Sequence, residues 1–133
     1  MKKILIVDDH QSIRFVIKKL LCQMDIPMDI HCASDGHEAV QWINKYMPNL
    51  VITDIFMPRM DGMELIRHLN ASTTRPKIIA MTNSSVTDQG NTLYLDCAKE
   101  LGADQTILKS QLIGSLATLV EACFDMNMDN AET

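Results

Sequence analysis

Short apolar runs recur along this chain between segments of helical periodicity, and three of them run out into charged residues. Ile4-Leu5-Ile6-Val7 is followed by Asp8 and Asp9, Leu50-Val51-Ile52-Thr53 by Asp54, and Gln105-Thr106-Ile107-Leu108 by Lys109. Strand-length apolar runs that alternate with helices predict βα units around a parallel sheet. Five such units fit, with strands at about 3 to 7, 28 to 33, 49 to 54, 76 to 81 and 105 to 108. Parallel strands all end on one edge, so three acids and a lysine from three different strands converge there. That edge is where open α/β sheets bind ligands. A lone carboxylate at the exit of a buried strand is costly to desolvate unless something pairs with it.

The helices between the strands have readable ends. In the first, Ile13, Val16, Ile17, Leu20 and Leu21 share a face, Ser12 is the candidate cap, and Pro27 is the stop. The second is expected from about Gly36 to Met47 behind Asp35, with Ala39, Val40, Ile43 and Tyr46 or Met47 on one face and Pro48 as breaker. The third begins at Asp61 or Gly62 and buries Met63, Leu65, Ile66 and Leu69. The fourth ends at Gly102, a left-handed cap. Its start is open: Ser85 and Asp88 have capping-box spacing but place Gly90 inside the helix, whereas Asn91 as cap leaves a long loop. The fifth runs from Gln111 to Phe124, and residues 125–133 read as a polar, frayed tail.

A chain of 133 residues is expected to form one domain, residues 1–124, ahead of that tail. A net charge of −5 argues against direct nucleic-acid binding, which needs clustered Lys and Arg. The first apolar run is too short for a secretion signal and no stretch is long enough to span a bilayer, so a cytoplasmic protein without membrane insertion is expected. Cys22, Cys32, Cys97 and Cys123 lack Cys-x-x-Cys spacing and read as ordinary buried thiols. His10, His31, His37 and His68 share no ligand spacing and read as surface or boundary residues, with His10 at the rim of the acidic cluster.

Carboxylates packed within a few ångströms repel one another unless a cation joins them. With oxygen donors, no nearby cysteine and no paired histidine, the expected ion is Mg²⁺ rather than Zn²⁺. Mg²⁺ shares its sphere with phosphate oxygens, and carboxylates serve as nucleophiles toward phosphorus. Lys109 would balance the added charge, and the Thr82 hydroxyl, at the end of the fourth strand, would donate to a phosphoryl oxygen. Taken singly, each of these residues is as well explained as a solvated turn, a helix cap or an exposed lysine. Their joint placement is what selects the phosphate reading.

At this point the chain resembles a response-regulator receiver domain of two-component signalling, similar to the chemotaxis regulators. The residues that carry the resemblance are Ile4-Leu5-Ile6-Val7-Asp8-Asp9, Thr53-Asp54 through Met57-Pro58 to Asp61-Gly62, Ala80-Met81-Thr82, Gly102-Ala103-Asp104 and Leu108-Lys109, in order over residues 2 to 124. It implies a flavodoxin-like (βα)5 three-layer sandwich with a central five-stranded parallel sheet of order 2-1-3-4-5. It implies Asp54 as phosphoacceptor, Asp8 and Asp9 as the acidic pair that holds Mg²⁺ together with Asp54 and the backbone carbonyl of Phe56, Thr82 as switch hydroxyl, and Lys109 as phosphate-binding lysine. The implied donor is a histidine kinase or a histidine phosphotransfer domain. The expected output, from a stand-alone receiver, is altered binding to another protein, whose identity the sequence leaves open. The chain would be an acceptor rather than a turnover enzyme.

Three departures from the family pattern stand out. Ser110 follows Lys109 where a proline in a cis peptide is usual, residues 83–91 make the fourth connection long, and Thr106 replaces the usual aromatic of the fifth strand. A threonine is too small for that aromatic's inward rotation, so the sequence points to ordering of residues 83–93 as the element biased by phosphorylation. Three other readings each fit part of this pattern: a phosphatase, a flavodoxin-like electron carrier and a pseudo-receiver. A haloacid-dehalogenase-type phosphatase needs a second Asp where Phe56 stands, and an electron carrier needs a Ser/Thr/Gly-rich loop where Asp8-Asp9-His10-Gln11 stands. A pseudo-receiver that binds partners without phosphorylation would not need the complete acid, hydroxyl and lysine set.

Overall fold

In the computed structural model, which describes residues 1–57, 59–83 and 88–132, the strands are β1 (Lys2–Val7), β2 (Met28–Ala33), β3 (Leu50–Asp54), β4 (Lys77–Thr82) and β5 (Gln105–Leu108). The helices are α1 (Gln11–Cys22), α2 (Gly36–Tyr46), α3 (Gly62–Asn70), α4 (Asp88–Leu101) and α5 (Leu112–Glu132). The five strands form one parallel sheet in the order β2-β1-β3-β4-β5, the flavodoxin-like arrangement.

Period-two alternation divides the strand side chains between two cores, one on each face. Ile4, Ile6, Leu50, Ile52, Ile79, Met81 and Ile107 pack with Ile17 and Leu21 of α1 and Leu116 and Val120 of α5. Leu5, Val7, Val51, Ile78 and Ala80 pack with Ala39 and Ile43 of α2, Leu65, Ile66 and Leu69 of α3, and Ala98 of α4. Both faces being covered, the central strands carry apolar stretches, Ile4–Val7, Leu50–Ile52 and Ile78–Met81. At the edge where the site lies these stretches give way to Asp8, Asp54 and Thr82.

Capping sets most helix starts. Asp35 accepts from the Glu38 N–H at 2.9 Å and Asp61 from the Glu64 N–H at 2.9 Å, as the sequence suggested. α1 differs: it starts one residue before Ser12, with His10 as an N-cap whose side chain does not cap the helix. Asp8 does the local work instead, because its Oδ1 accepts the His10 N–H at 2.8 Å. α1 also stops at Cys22, ahead of Pro27, and Met24 and Ile26 turn back against the core. α4 begins at Asp88 and does contain Gly90; Ser85, its candidate cap, lies outside the described residues. The α4 end is a Schellman motif, with the Gly102 N–H donating to the Lys99 carbonyl at 3.2 Å and the Ala103 N–H to the Ala98 carbonyl at 3.0 Å. Gly102 has φ +129°, and a Cβ there would lie 2.5 Å from Asn70 Cγ.

Two expectations are corrected. α5 continues to Glu132, through the segment read as a frayed tail, because no Gly or Pro interrupts residues 125–132 and Ala, Met and Glu favour helix. Cys22, Cys32 and Cys97 are exposed, and only Cys123 is buried. Cys22 closes α1 and Cys32 lies on the edge strand β2, positions that the core does not reach. Among the described residues no peptide bond is cis, so Lys109-Ser110 is trans. No helix among them is long and apolar enough to cross a membrane.

Candidate functional site

Asp8 leaves β1 and Asp54 closes β3, and these strands are neighbours in the sheet. Lys109 opens a 3₁₀ turn, Lys109–Gln111, directly after β5, two strands away from β3. That turn is closed by the Gln111 side chain, whose Oε1 accepts the Leu108 N–H at 3.1 Å. The long lysine stem reaches back across β4, and Nζ lies 2.8 Å from Asp8 Oδ2 and 3.1 Å from Asp54 Oδ2. One cation thus stands between two buried carboxylates.

Asp8 is fully buried and Asp54 is 4 % exposed, so both charges are largely removed from water. Burial pushes the Asp54 carboxyl above the ordinary carboxylate range, and repulsion from Asp8 adds to the rise. The Lys109 ammonium and the Phe56 N–H, 3.2 Å from Asp54 Oδ1, pull the other way without cancelling it. Burial also works against the charge on Lys109. Its contacts with Asp8 and Asp54 outweigh that penalty, so its pKa is raised and the ammonium persists at neutral pH.

Asp9 is partly exposed beside them, and His10 Nδ1 lies 3.2 Å from Asp9 Oδ1 and 3.3 Å from Asp8 Oδ1. One ligand atom from each of Asp8, Asp9, His10 and Asp54 falls within 4.8 Å of the others. Asp8 Oδ2 is buried, with the Lys109 ammonium 2.8 Å away. Such an oxygen-dominated set, three carboxylates facing one lysine, fits a hard divalent cation. The residues that would hold it are Asp8, Asp9 and Asp54. A cavity of about 250 Å³ opens beside them, lined by His10, Ser12, Ile13, Asn83 and Lys109.

The surrounding backbone is fixed by specific contacts. The Ile55 N–H donates to the Met81 carbonyl at 2.9 Å, and the Ile55 carbonyl accepts the Gly62 N–H at 2.8 Å. A Cβ on Gly62 would lie 2.0 Å from the Asp54 carbonyl oxygen, so only glycine lets α3 start this close to Asp54. Thr53 Oγ1 donates to the same carbonyl oxygen at 2.9 Å. Thr82 is buried at the end of β4, paired in register with Leu108. Phe56 follows two residues after Asp54 and is half exposed, while Pro58 lies outside the described residues.

Asp8, Asp9, Asp54 and Lys109 are therefore assembled as the strand ends suggested, with Thr82 and Phe56 at their edge. His10 sits within the cluster, closer than a rim residue. Arg14 had no sequence signal: its guanidinium donates to the Asp8 main-chain carbonyl at 2.7 Å, a contact that no side-chain pattern announces.

Comparison with known proteins accords with this geometry. The response regulator receiver domain family matches residues 4–121. The chain is 36 % identical over 108 residues to a "Probable transcriptional regulator ycf27" of Porphyridium aerugineum, covering 81 % of this chain and 42 % of that protein. It is 32 % identical over 122 residues to a "Probable chemotaxis protein CheY" of Rhizobium etli, covering 92 % of each. The chain thus spans about two fifths of the first of these relatives and nearly all of the second. The solved Francisella response regulator 1452 receiver domain superposes with a TM-score of 0.80 at 24 % identity, over 96 % of this chain and 99 % of that one, a likeness of fold.

Proposed function

Because the chain belongs to the response regulator receiver domain family, we propose that it is a phosphorylation-controlled switch with Asp54 as the phosphoacceptor. The observation that carries this reading is Lys109, its side chain 11 % exposed, held between Asp8 and Asp54 with Asp9 alongside.

In the proposed reaction a carboxylate oxygen of Asp54 attacks phosphorus of a phosphohistidine. An O–P bond forms as the P–N bond breaks, and the electron pair leaves with the imidazole nitrogen, which takes up a proton. Lys109, already 3.1 Å from Asp54 Oδ2, balances charge on the transferred group, and the Thr82 hydroxyl donates to one of its oxygens. Asp8, Asp9, Asp54 and the Phe56 carbonyl would hold Mg²⁺. That ion, when bound, supplies compensation for charge spread over the phosphoryl oxygens.

The donor in this reading is a histidine kinase or a histidine phosphotransfer domain in the cytoplasm. The output is altered binding to a protein partner, supported by the end-to-end match with the chemotaxis relative. The domain is an acceptor and not a turnover enzyme on an external substrate. Incubation with phosphoramidate, whose P–N bond stands in for phosphohistidine, tests the proposal on a phosphate-affinity gel. A Mg²⁺-dependent, alkali-labile shifted band is expected. Absence of any shifted band, or an alkali-stable one, overturns it.

A further inference from the structure

The ring of Phe56 meets the ring of Tyr94 edge-on, with centroids 4.7 Å apart and planes at 88°. Phe56 belongs to the loop after β3 and Tyr94 to α4, so the contact joins the loop beside Asp54 to a helix that, among the described residues, supplies none to the acidic cluster. Phe56 is 49 % exposed and Tyr94 45 % exposed. With so much of each ring in water, burial fixes neither, and the edge-to-face geometry is what holds them.

Asp54 explains why this position matters. Its Oδ2 is bound by the Lys109 ammonium at 3.1 Å, and its Oδ1 accepts the Phe56 N–H at 3.2 Å, the long end of the normal range. Among the described residues, the carboxylate is oriented by one contact from the turn after β5 and one from the loop. The loop is anchored at Ile55 by the Met81 and Gly62 backbone contacts. Phe56 is the next residue outward, and its ring rests on Tyr94.

We infer that Tyr94 is a positioning residue for Asp54, acting through Phe56. The ring pair fixes the main chain at Phe56 and with it the N–H that orients Oδ1. Coupling between two sites is reciprocal, so a group bound at Asp54 also changes the setting of Tyr94 and of α4. The inference rests on the proposed role of Asp54 as acceptor.

Beryllofluoride binding in the presence of Mg²⁺, measured for wild type, Tyr94→Ala, Tyr94→Phe, Phe56→Ala and the double alanine variant, provides the test. Tyr94→Ala is expected to weaken binding about two- to ten-fold, the fold-change to which the usual strength of an edge-to-face pair converts. Tyr94→Phe keeps wild-type affinity, because the contact uses the ring and not the hydroxyl. The double variant is expected to bind no worse than the weaker single variant. The Tyr94 ring resonance should move when beryllofluoride is added to wild type and stay in place in Phe56→Ala. If Tyr94→Ala lowers the melting temperature but leaves the affinity unchanged, or if the two alanine effects add independently, the positioning role is wrong. Wild type that binds no beryllofluoride overturns the proposed function, and the inference with it.

Discussion

Asp54 and Lys109 carry opposite consequences for stability. The raised Asp54 pKa means that the native chain holds an extra proton between the ordinary value of 3.8 and the folded value, so this group's contribution falls as pH rises through that window. At neutral pH the ionised carboxylate opposes folding. Asp54→Asn is therefore expected to raise the unfolding free energy at pH 7 by about 1 kcal/mol, read as a higher urea midpoint with an unchanged slope; an unchanged or lowered midpoint would count against the desolvation argument. Lys109 works in the other direction: its raised pKa gives stability that is complete below 10.5 and lost as pH climbs past the folded value. Lys109→Met leaves Asp8 and Asp54 facing each other in a buried site, a loss of about 3 to 5 kcal/mol. Moderate acidification or added Mg²⁺ should restore part of it, and a variant as stable as wild type at pH 7 without Mg²⁺ would refute this reading. The acids and the lysine were legible in the sequence because each follows an apolar run. Arg14 was not, since its contact depends on how the first turn of α1 folds back on the Asp8 carbonyl.

At the scale of elements, the strand ends are positioned by close packing that tolerates no extra atoms. Gly62→Ala would place a methyl 2.0 Å from the Asp54 carbonyl oxygen, and the backbone must move to admit it. A loss of about 1 to 3 kcal/mol is expected, together with weaker Mg²⁺ binding, since the displaced chain carries Asp54. A variant with wild-type stability and Mg²⁺ affinity would show that α3 can start elsewhere. Strand positions and the Asp35 and Asp61 caps could be read from the sequence because they depend on local pattern. The α1 start could not, because the helix begins at Gln11 behind a turn in which Asp8 accepts the His10 N–H, a contact that no cap signal announces. Thr106 sits on β5 opposite Ala80, two residues before the end of the strand. The loop expected to order in its place, residues 83–91, falls partly outside the described residues, while the Phe56–Tyr94 contact offers a described route from the site to α4.

For the whole molecule, the parallel order β2-β1-β3-β4-β5 brings residues 8, 54, 82 and 109 to one edge of the sheet. The sequence carried the convergence, because each of these residues closes or follows a strand-length run, whereas the strand order was implied only by the resemblance to receiver domains. An ion that binds only the native cluster stabilises the whole fold by linkage, about 2.7 kcal/mol at a hundredfold excess over Kd. Mg²⁺ should therefore raise the melting temperature of wild type, and Asp9→Ala should remove most of the rise; a full response in the variant would place the ion elsewhere. The central claim is that this cluster accepts a phosphoryl group on Asp54. Intact-mass measurement after incubation with acetyl phosphate tests it most directly, with wild type and Asp54→Asn each treated with Mg²⁺ and with chelator. The account predicts the mass of one phosphoryl group on wild type with Mg²⁺ and none in the other three samples. One phosphoryl group on Asp54→Asn, or equal modification of wild type in chelator, would contradict it.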